Sequence, residues 1–266
     1  MFRLLLTRRW MTWLLLSILA GVVSYYLGMW QWGRYESKSL LQHQVSDNYN
    51  ATPKPIGVVL PTEQSTLNKR DKWTQVKLTG SYDSSKLLLV RNRPNDTYYG
   101  YEVVIPFEQT DGSTVLVDRG WIPNGNTAAA PNSIPPTPSG TVTVIGWVQP
   151  GEANEEKKPV PGQVASINIP EIEQITGETM YSQVYVLMRS ETTASGASPA
   201  RPDPLPAPDP GSYAGINFSY ALQWWAAMIG GVIFVLERCR REHDEMVNGP
   251  RAKRPKKVRI WDEEDA

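Results

Sequence analysis

Two stretches of the chain stand out against its alternating polarity. Residues 10–33 carry no charged side chain, and neither do residues 212–236. Each is longer than the roughly 20 residues that a helix needs to cross about 30 Å of hydrocarbon. The first stretch ends at Trp30, Gln31 and Trp32, with no small-x-small cleavage site, and it outruns the roughly 7–15 apolar residues of a signal peptide. It therefore predicts an uncleaved anchor whose indoles mark the membrane surface.

Between these stretches the apolar period shortens from helical to two. Val76, Leu78, Gly80 and Tyr82 alternate with polar residues, residues 87–90 form a short apolar run, and Tyr101, Val103, Ile105 and Phe107 alternate again. Each predicts a strand. Asp111-Gly112 supplies a turn before residues 114–117, which makes a hairpin, and Pro106 places its strand at an edge or near an end. Residues 141–148 and 184–188 predict further strands. Pro170 in a first turn, residues 171–175 and a closing Gly177 predict one short helix.

The expected fold is a membrane α+β protein: two transmembrane helices flanking one mostly antiparallel β extracytoplasmic domain with a short helix. The boundaries are a cytoplasmic N-terminus at 1–9, transmembrane helices at 10–32 and 217–236, the β-rich domain at 33–197, a Pro-rich tether at 198–216 and a charged cytoplasmic tail at 237–266. Residues 198–211 hold six prolines, and residues 128–140 form a second proline-rich loop. Ala20, Ser24 and Gly28 recur every four residues in the first span, as do the pairs Ala226/Gly230 and Ala227/Gly231 in the second, a spacing that lets membrane helices pack closely.

Charge sets the orientation. Arg3, Arg8 and Arg9 precede the first span, and Arg238, Arg240 and Arg241 follow the second, so both termini are expected in the cytoplasm of a plasma membrane. Arg34 and Lys38 on the far side oppose that assignment, but the basic tail from Arg251 to Arg259 outweighs them. The 27 basic and 27 acidic residues cancel, which implies no nucleic-acid partner. The tail is a candidate contact for anionic lipids.

The chemistry available to the β domain is narrow. Cys239 is the only cysteine and His43 and His243 the only histidines, so neither a disulfide nor a Cys/His metal cluster is available there. His43 sits in a polar juxtamembrane stretch, a poor setting for a catalytic triad, and the reading is of a protein that is not an enzyme. Aromatic and polar groups instead gather near the membrane surface: Trp30, Gln31 and Arg34 after the first span, and Asn217, Tyr220 and Trp224 at the start of the second. They read either as an aromatic belt or as the lining of a pocket for an amphipathic ring or a partner helix. Arg91, Arg93 and Arg119 stand at strand ends, where a guanidinium receives carboxylates from a ligand or from its own domain.

Set in order, these residues resemble a known family. Gly28-Met29-Trp30-Gln31-Trp32-Gly33-Arg34, Arg91-Asn92-Arg93-Pro94, the run from Val115 to Pro123 through Asp118-Arg119-Gly120-Trp121, and Tyr220-Ala221-Leu222-Gln223-Trp224 are similar to the Surfeit locus protein 1 family, membrane assembly factors of haem-copper cytochrome oxidase. The resemblance implies a helper protein whose partners are cytochrome c oxidase subunits, chiefly the haem-bearing catalytic subunit, and membrane lipids. It also implies a haem a or partner contact at the outer membrane surface through Trp30, Gln31, Arg34, Asn217, Tyr220 and Trp224, supported from the outer domain by Arg91, Arg119 and Trp121. The family pattern carries a histidine three residues before Tyr220, whereas this chain has Asn217, a weak iron ligand beside His, Cys, Met or Tyr. Two roles follow: assistance with haem a insertion or stabilisation of the immature catalytic subunit, or permanent accessory membership of the oxidase or a respiratory supercomplex without haem.

Overall fold

The computed structural model describes residues 2–126, 130–158 and 160–249. The acidic and basic tail beyond residue 249, and residues 127–129, where the proline-rich loop 128–140 begins, lie outside the described residues. The chain forms two compact units, a helical one made of residues 1–38 and 212–266 and a sheet unit made of residues 39–211.

Two long helices dominate the helical unit. A single turn, α1 (Phe2–Leu5), precedes α2 (Arg8–His43), and α5 (Gly215–Asn248) is its counterpart near the other terminus. Both long helices contain windows long and apolar enough to cross a membrane. They run well past the apolar stretches because the flanking residues, such as 34–43 and 237–248, include good helix formers and no proline. The pair is antiparallel: Trp10 near the start of α2 is buried against Val235 and Cys239 near the end of α5.

The seam between the helices follows a helical period, with Gly21, Ser24 and Gly28 buried on α2 and Asn217, Ala221 and Val235 on α5. Ser24 and Gly28 stand where the small-residue pattern placed them. Ala20, Ala226 and Ala227 are exposed instead, and Trp225 and Met228 take the facing positions on α5. Trp225 is accommodated because α2 offers no side chain at Gly28: a Cβ there would lie 2.2 Å from the Trp225 indole nitrogen.

The sheet unit has eight strands: β1 (Lys54–Pro55), β2 (Gln75–Tyr82), β3 (Leu88–Asn95), β4 (Tyr98–Gln109), β5 (Thr114–Pro123), β6 (Val142–Pro150), β7 (Gln163–Val164) and β8 (Val184–Thr193). β2, β6, β8, β5 and β4 pair in succession, and β4 pairs back to β2, which closes a five-membered circuit. A one-turn helix, α3 (Ile56–Val59), follows β1, and α4 (Ile169–Thr176) lies between β7 and β8. Pro170 sits in the first turn of α4 and Gly177 closes it in the left-handed conformation, as the sequence leads one to expect, and the Asn168 side chain adds a cap by accepting from the Glu171 N–H.

The sheet is mixed rather than simply antiparallel. The β2–β4, β2–β6, β3–β4, β4–β5 and β6–β8 pairs are antiparallel, while β1–β2, β3–β7 and β5–β8 are parallel. The parallel pairs join strands that are distant in sequence or linked by long connections, which no local turn signal announces.

Pro106 differs from expectation in an instructive way. It lies inside β4, opposite Leu116 of β5. On its other side β3 pairs only as far as Val104 and β2 only from Phe107, and its carbonyl accepts from Asp83 N–H at 3.1 Å. The missing N–H therefore falls at the corner where one neighbouring strand replaces another, so an interior strand tolerates the proline.

Apolar side chains fill both faces of the central strands. Val76, Leu78, Phe107, Val115, Val117, Val144 and Val186 form one cluster, while Leu88, Val90, Val104 and Leu116 pack with Ile169 and Ile172 of α4 on the opposite face.

Candidate functional site

Near the start of α5, the seam of the helical unit becomes aromatic and polar. The Asn217 side-chain amide donates to Gln31 Oε1 at 2.7 Å, and Asn217 is 8% exposed, with its Oδ1 buried and without a hydrogen-bond partner. Around this bond Trp32 packs against Tyr35, Phe218 and Trp225 with ring centroids 5.4, 6.0 and 5.8 Å apart, and Tyr35 meets Phe218 at 5.3 Å. Such tilted aromatic contacts add to the area they bury.

The six residues singled out from the sequence thus separate into two groups. Gln31 and Asn217 turn inward and meet each other. Trp30, Tyr220 and Trp224 are exposed, and the Arg34 guanidinium lies 5.2 Å over the Trp30 ring. Trp32, Tyr35, Phe218 and Trp225 fill the space between the helices at the level where a pocket was envisaged. Their sign in the sequence is the run Asn217, Ala221, Trp225 and Met228, one residue per helical turn on a single face.

In the sheet unit the three arginines are held by their own domain. Arg119 and Glu191 form an ion pair with both side chains essentially inaccessible; the guanidinium donates at 2.5 and 3.3 Å to the two carboxylate oxygens. The Tyr82 hydroxyl donates to the same carboxylate at 2.9 Å, and Arg119 lies 5.5 Å over the Tyr82 ring. Burial, and then the Glu191 charge, raise the Tyr82 hydroxyl well above the usual tyrosine range. Arg91 donates to the Lys158 carbonyl at 2.9 Å.

Arg93 serves several carboxylates. It lies 3.0 Å from Glu102 and 2.5 Å from Glu152, and its carbonyl accepts from the Trp121 indole at 2.9 Å. A bulge between Val90 and Arg93, with Asn92 at φ 59°, turns the arginine into this position. Asp118 is wholly buried, takes one N–H from Gly120 at 2.9 Å and leaves Oδ2 unpartnered. Burial, then the Glu102 charge, lift the Asp118 carboxyl well above its usual range. Glu102 is pushed up to about 7 by burial, with Arg93 opposing and Glu152 adding to the rise. Tyr185 is raised by burial and then by Asp118.

Trp121 is anchored in turn. Its backbone exchanges two 2.8 Å hydrogen bonds with Asp203, so the proline-rich connection is pinned to β5 at this point. Gly120, at φ 124°, permits the approach, because a Cβ there would meet the Asp203 carbonyl at 2.4 Å.

The arrangement holds no cluster of three or more His, Cys, Asp or Glu side chains suited to a metal among the described residues. At the seam, Asn217 is bonded to Gln31 and is itself a weak ligand for haem iron.

Two apolar helices of membrane-spanning length bracketing a closed mixed sheet define the class, a sheet domain carried between two helical anchors. The chain belongs to the SURF1 family, whose model matches residues 18–229 and so takes in part of each long helix and the whole sheet unit. It is 28% identical over 260 residues to an uncharacterised SURF1-like protein of Mycobacterium tuberculosis, with 92% of each chain covered. Shorter matches of 104 residues link 38% of the chain to a SURF1-like protein of Dictyostelium discoideum at 28% identity and to the cytochrome oxidase assembly protein SHY1 of Saccharomyces cerevisiae at 30%, the latter over 25% of the yeast protein.

Proposed function

We propose that this chain is a two-pass membrane protein that assists assembly of a haem-copper cytochrome oxidase by stabilising the immature catalytic subunit while haem a is inserted, without ligating the iron itself. Family membership across residues 18–229 carries this reading, together with the name of the yeast relative. The exposed rings of Trp30, Tyr220 and Trp224 are its contact face toward the membrane helices of the oxidase, and its work is binding rather than catalysis. Both termini lie in the cytoplasm, and the sheet unit lies on the outer side of the plasma membrane.

Asn217 favours a second reading. A family member whose seam is closed by an Asn–Gln bond, in place of a histidine, is suited to permanent residence on the oxidase as an accessory subunit.

Deletion of the gene, followed by mild-detergent purification of the oxidase, tests both. An assembly role is expected to give oxidase depleted in haem a absorbance and only sparse recovery of this chain with the wild-type enzyme. Equimolar recovery with haem content that survives deletion selects the accessory role, and fully normal oxidase with no co-purification overturns both.

A further inference from the structure

Trp30, Arg34 and Lys38 follow one another at i, i+4 on α2, which puts all three on one helix face. With Met29, Gly33 and Ser37 they border a shallow, wide-open cleft of about 550 Å³ on the surface of α2. Its floor is free, since nothing stands within 4 Å of a Cβ built on Gly33. Met29 and Trp30, 44% and 55% exposed, give it an apolar wall.

The two cations of the cleft lack acidic partners. Arg34 rests on the Trp30 ring, and Lys38 donates to the Ser212 hydroxyl at 2.7 Å, but no carboxylate of the described residues comes within ion-pair distance of either. At the opposite end of the helix pair Arg9 meets Glu242 at 3.2 Å and Arg240 and Arg241 reach Glu237 at 3.8 and 4.0 Å, while Arg8 and Arg238 are without a carboxylate of the described residues in ion-pair distance. Two unneutralised cations above an apolar wall, at the level where indoles mark the membrane surface, match a ligand with a phosphate at one end and acyl chains at the other. A soluble anion would use the cations and leave the wall bare.

We infer that this cleft binds the headgroup of an anionic phospholipid, with the phosphate between Arg34 and Lys38 and the acyl chains along Met29 and Trp30. The site shares Trp30 with the proposed oxidase contact face, where a bound lipid would lie at the edge of that contact, and it stands if the oxidase reading fails.

Native mass spectrometry of the full chain in non-ionic detergent, titrated with phosphatidylglycerol, phosphatidylcholine or inorganic phosphate, tests it. The wild type is expected to retain one phosphatidylglycerol in preference to phosphatidylcholine. Arg34→Gln and Lys38→Gln together weaken that lipid by about fivefold for each cation removed. Gly33→Leu, which fills the floor and leaves the charges in place, weakens it as well, whereas Arg240→Gln with Arg241→Gln leaves it unchanged. Equal retention of the two lipids, or an unaltered preference in the Arg34/Lys38 variant, overturns the inference. So does displacement of the lipid by millimolar inorganic phosphate, which would assign the cleft to a free anion.

Discussion

Arg119 and Glu191 show how much depends on where a charge is placed. Withdrawing both ions from water costs several kcal/mol each, and only close, well-matched pairing offsets that cost. The match is good here: two guanidinium–carboxylate bonds, a Tyr82 hydroxyl on the same carboxylate, and the Tyr82 ring beneath the guanidinium. The Pro135 carbonyl lies 3.4 Å from Nη1, and those of Pro136 and Ala200 lie 3.4 Å from Nη2. Glu191→Ala leaves the guanidinium buried without its counter-ion and is expected to lower unfolding stability by about 3–5 kcal/mol, whereas Arg119→Met with Glu191→Leu recovers most of it. Denaturant unfolding of the purified protein checks both variants, and a Glu191→Ala loss below about 1 kcal/mol, the scale of an exposed pair, would refute the assignment. From the sequence, Arg119 serves equally well as an outward contact or as an internal partner. Nine successive residues of β5 are buried, so the inward–outward alternation that usually reveals a side chain's direction is missing.

At the scale of elements, one acidic cluster draws its members from separate strands: Arg93 from β3, Glu102 from β4, Asp118 from β5, Tyr185 from β8 and Glu152 from the segment after β6. A single arginine faces three carboxylates in a buried setting, and the excess negative charge is relieved by protonation. Glu102 and Asp118 both bind protons more tightly in the folded than in the unfolded chain, since both are raised. Their stabilising contribution is therefore complete below the unfolded carboxylate range and is lost as pH rises through the folded values, with Glu102 passing its value of about 7. Unfolding stability is expected to fall between about pH 5 and 7, by up to about 2–3 kcal/mol from Glu102. Glu102→Gln, which stays neutral, flattens that slope, and a wild-type profile as flat as the variant's would refute the account. No local pattern announces this cluster, because its spacing in the sequence reflects strand pairing and the bulge at Asn92. The strands themselves are a different matter. Alternation from Val76 to Tyr82 and from Tyr101 to Phe107 is written directly in the residues, as is α4 through Pro170 and Gly177, since period and helix-end signals are local properties.

For the whole molecule, the chain is legible where its signals are local or cumulative, as in the two apolar stretches and the motifs that mark the family, and silent where distant segments must meet, as in the parallel β5–β8 pair and the closure of β4 onto β2. Its topology combines both kinds of information. The antiparallel helix pair brings Arg8 and Arg9 to the same end as Arg238, Arg240 and Arg241, with Arg9 bonded to Glu242 across it. At the other end Lys38 and Ser212 are hydrogen-bonded, and residues 39–211 form the connection between the two helices there. Basic residues close to a helix end are retained on the cytoplasmic side, because the bias in Lys and Arg sets orientation. With Arg3, six arginines at one end against Arg34 and Lys38 at the other give that bias a clear sign. In sealed, right-side-out membrane vesicles, trypsin added outside is expected to cut within residues 39–211 and to spare an epitope fused after Ala266; permeabilising the vesicles should then expose the epitope. Loss of the epitope from sealed vesicles while the sheet unit survives would reverse the orientation. It would also place the unneutralised Arg34 and Lys38 on the cytoplasmic face, where an anionic headgroup would meet them from the opposite leaflet.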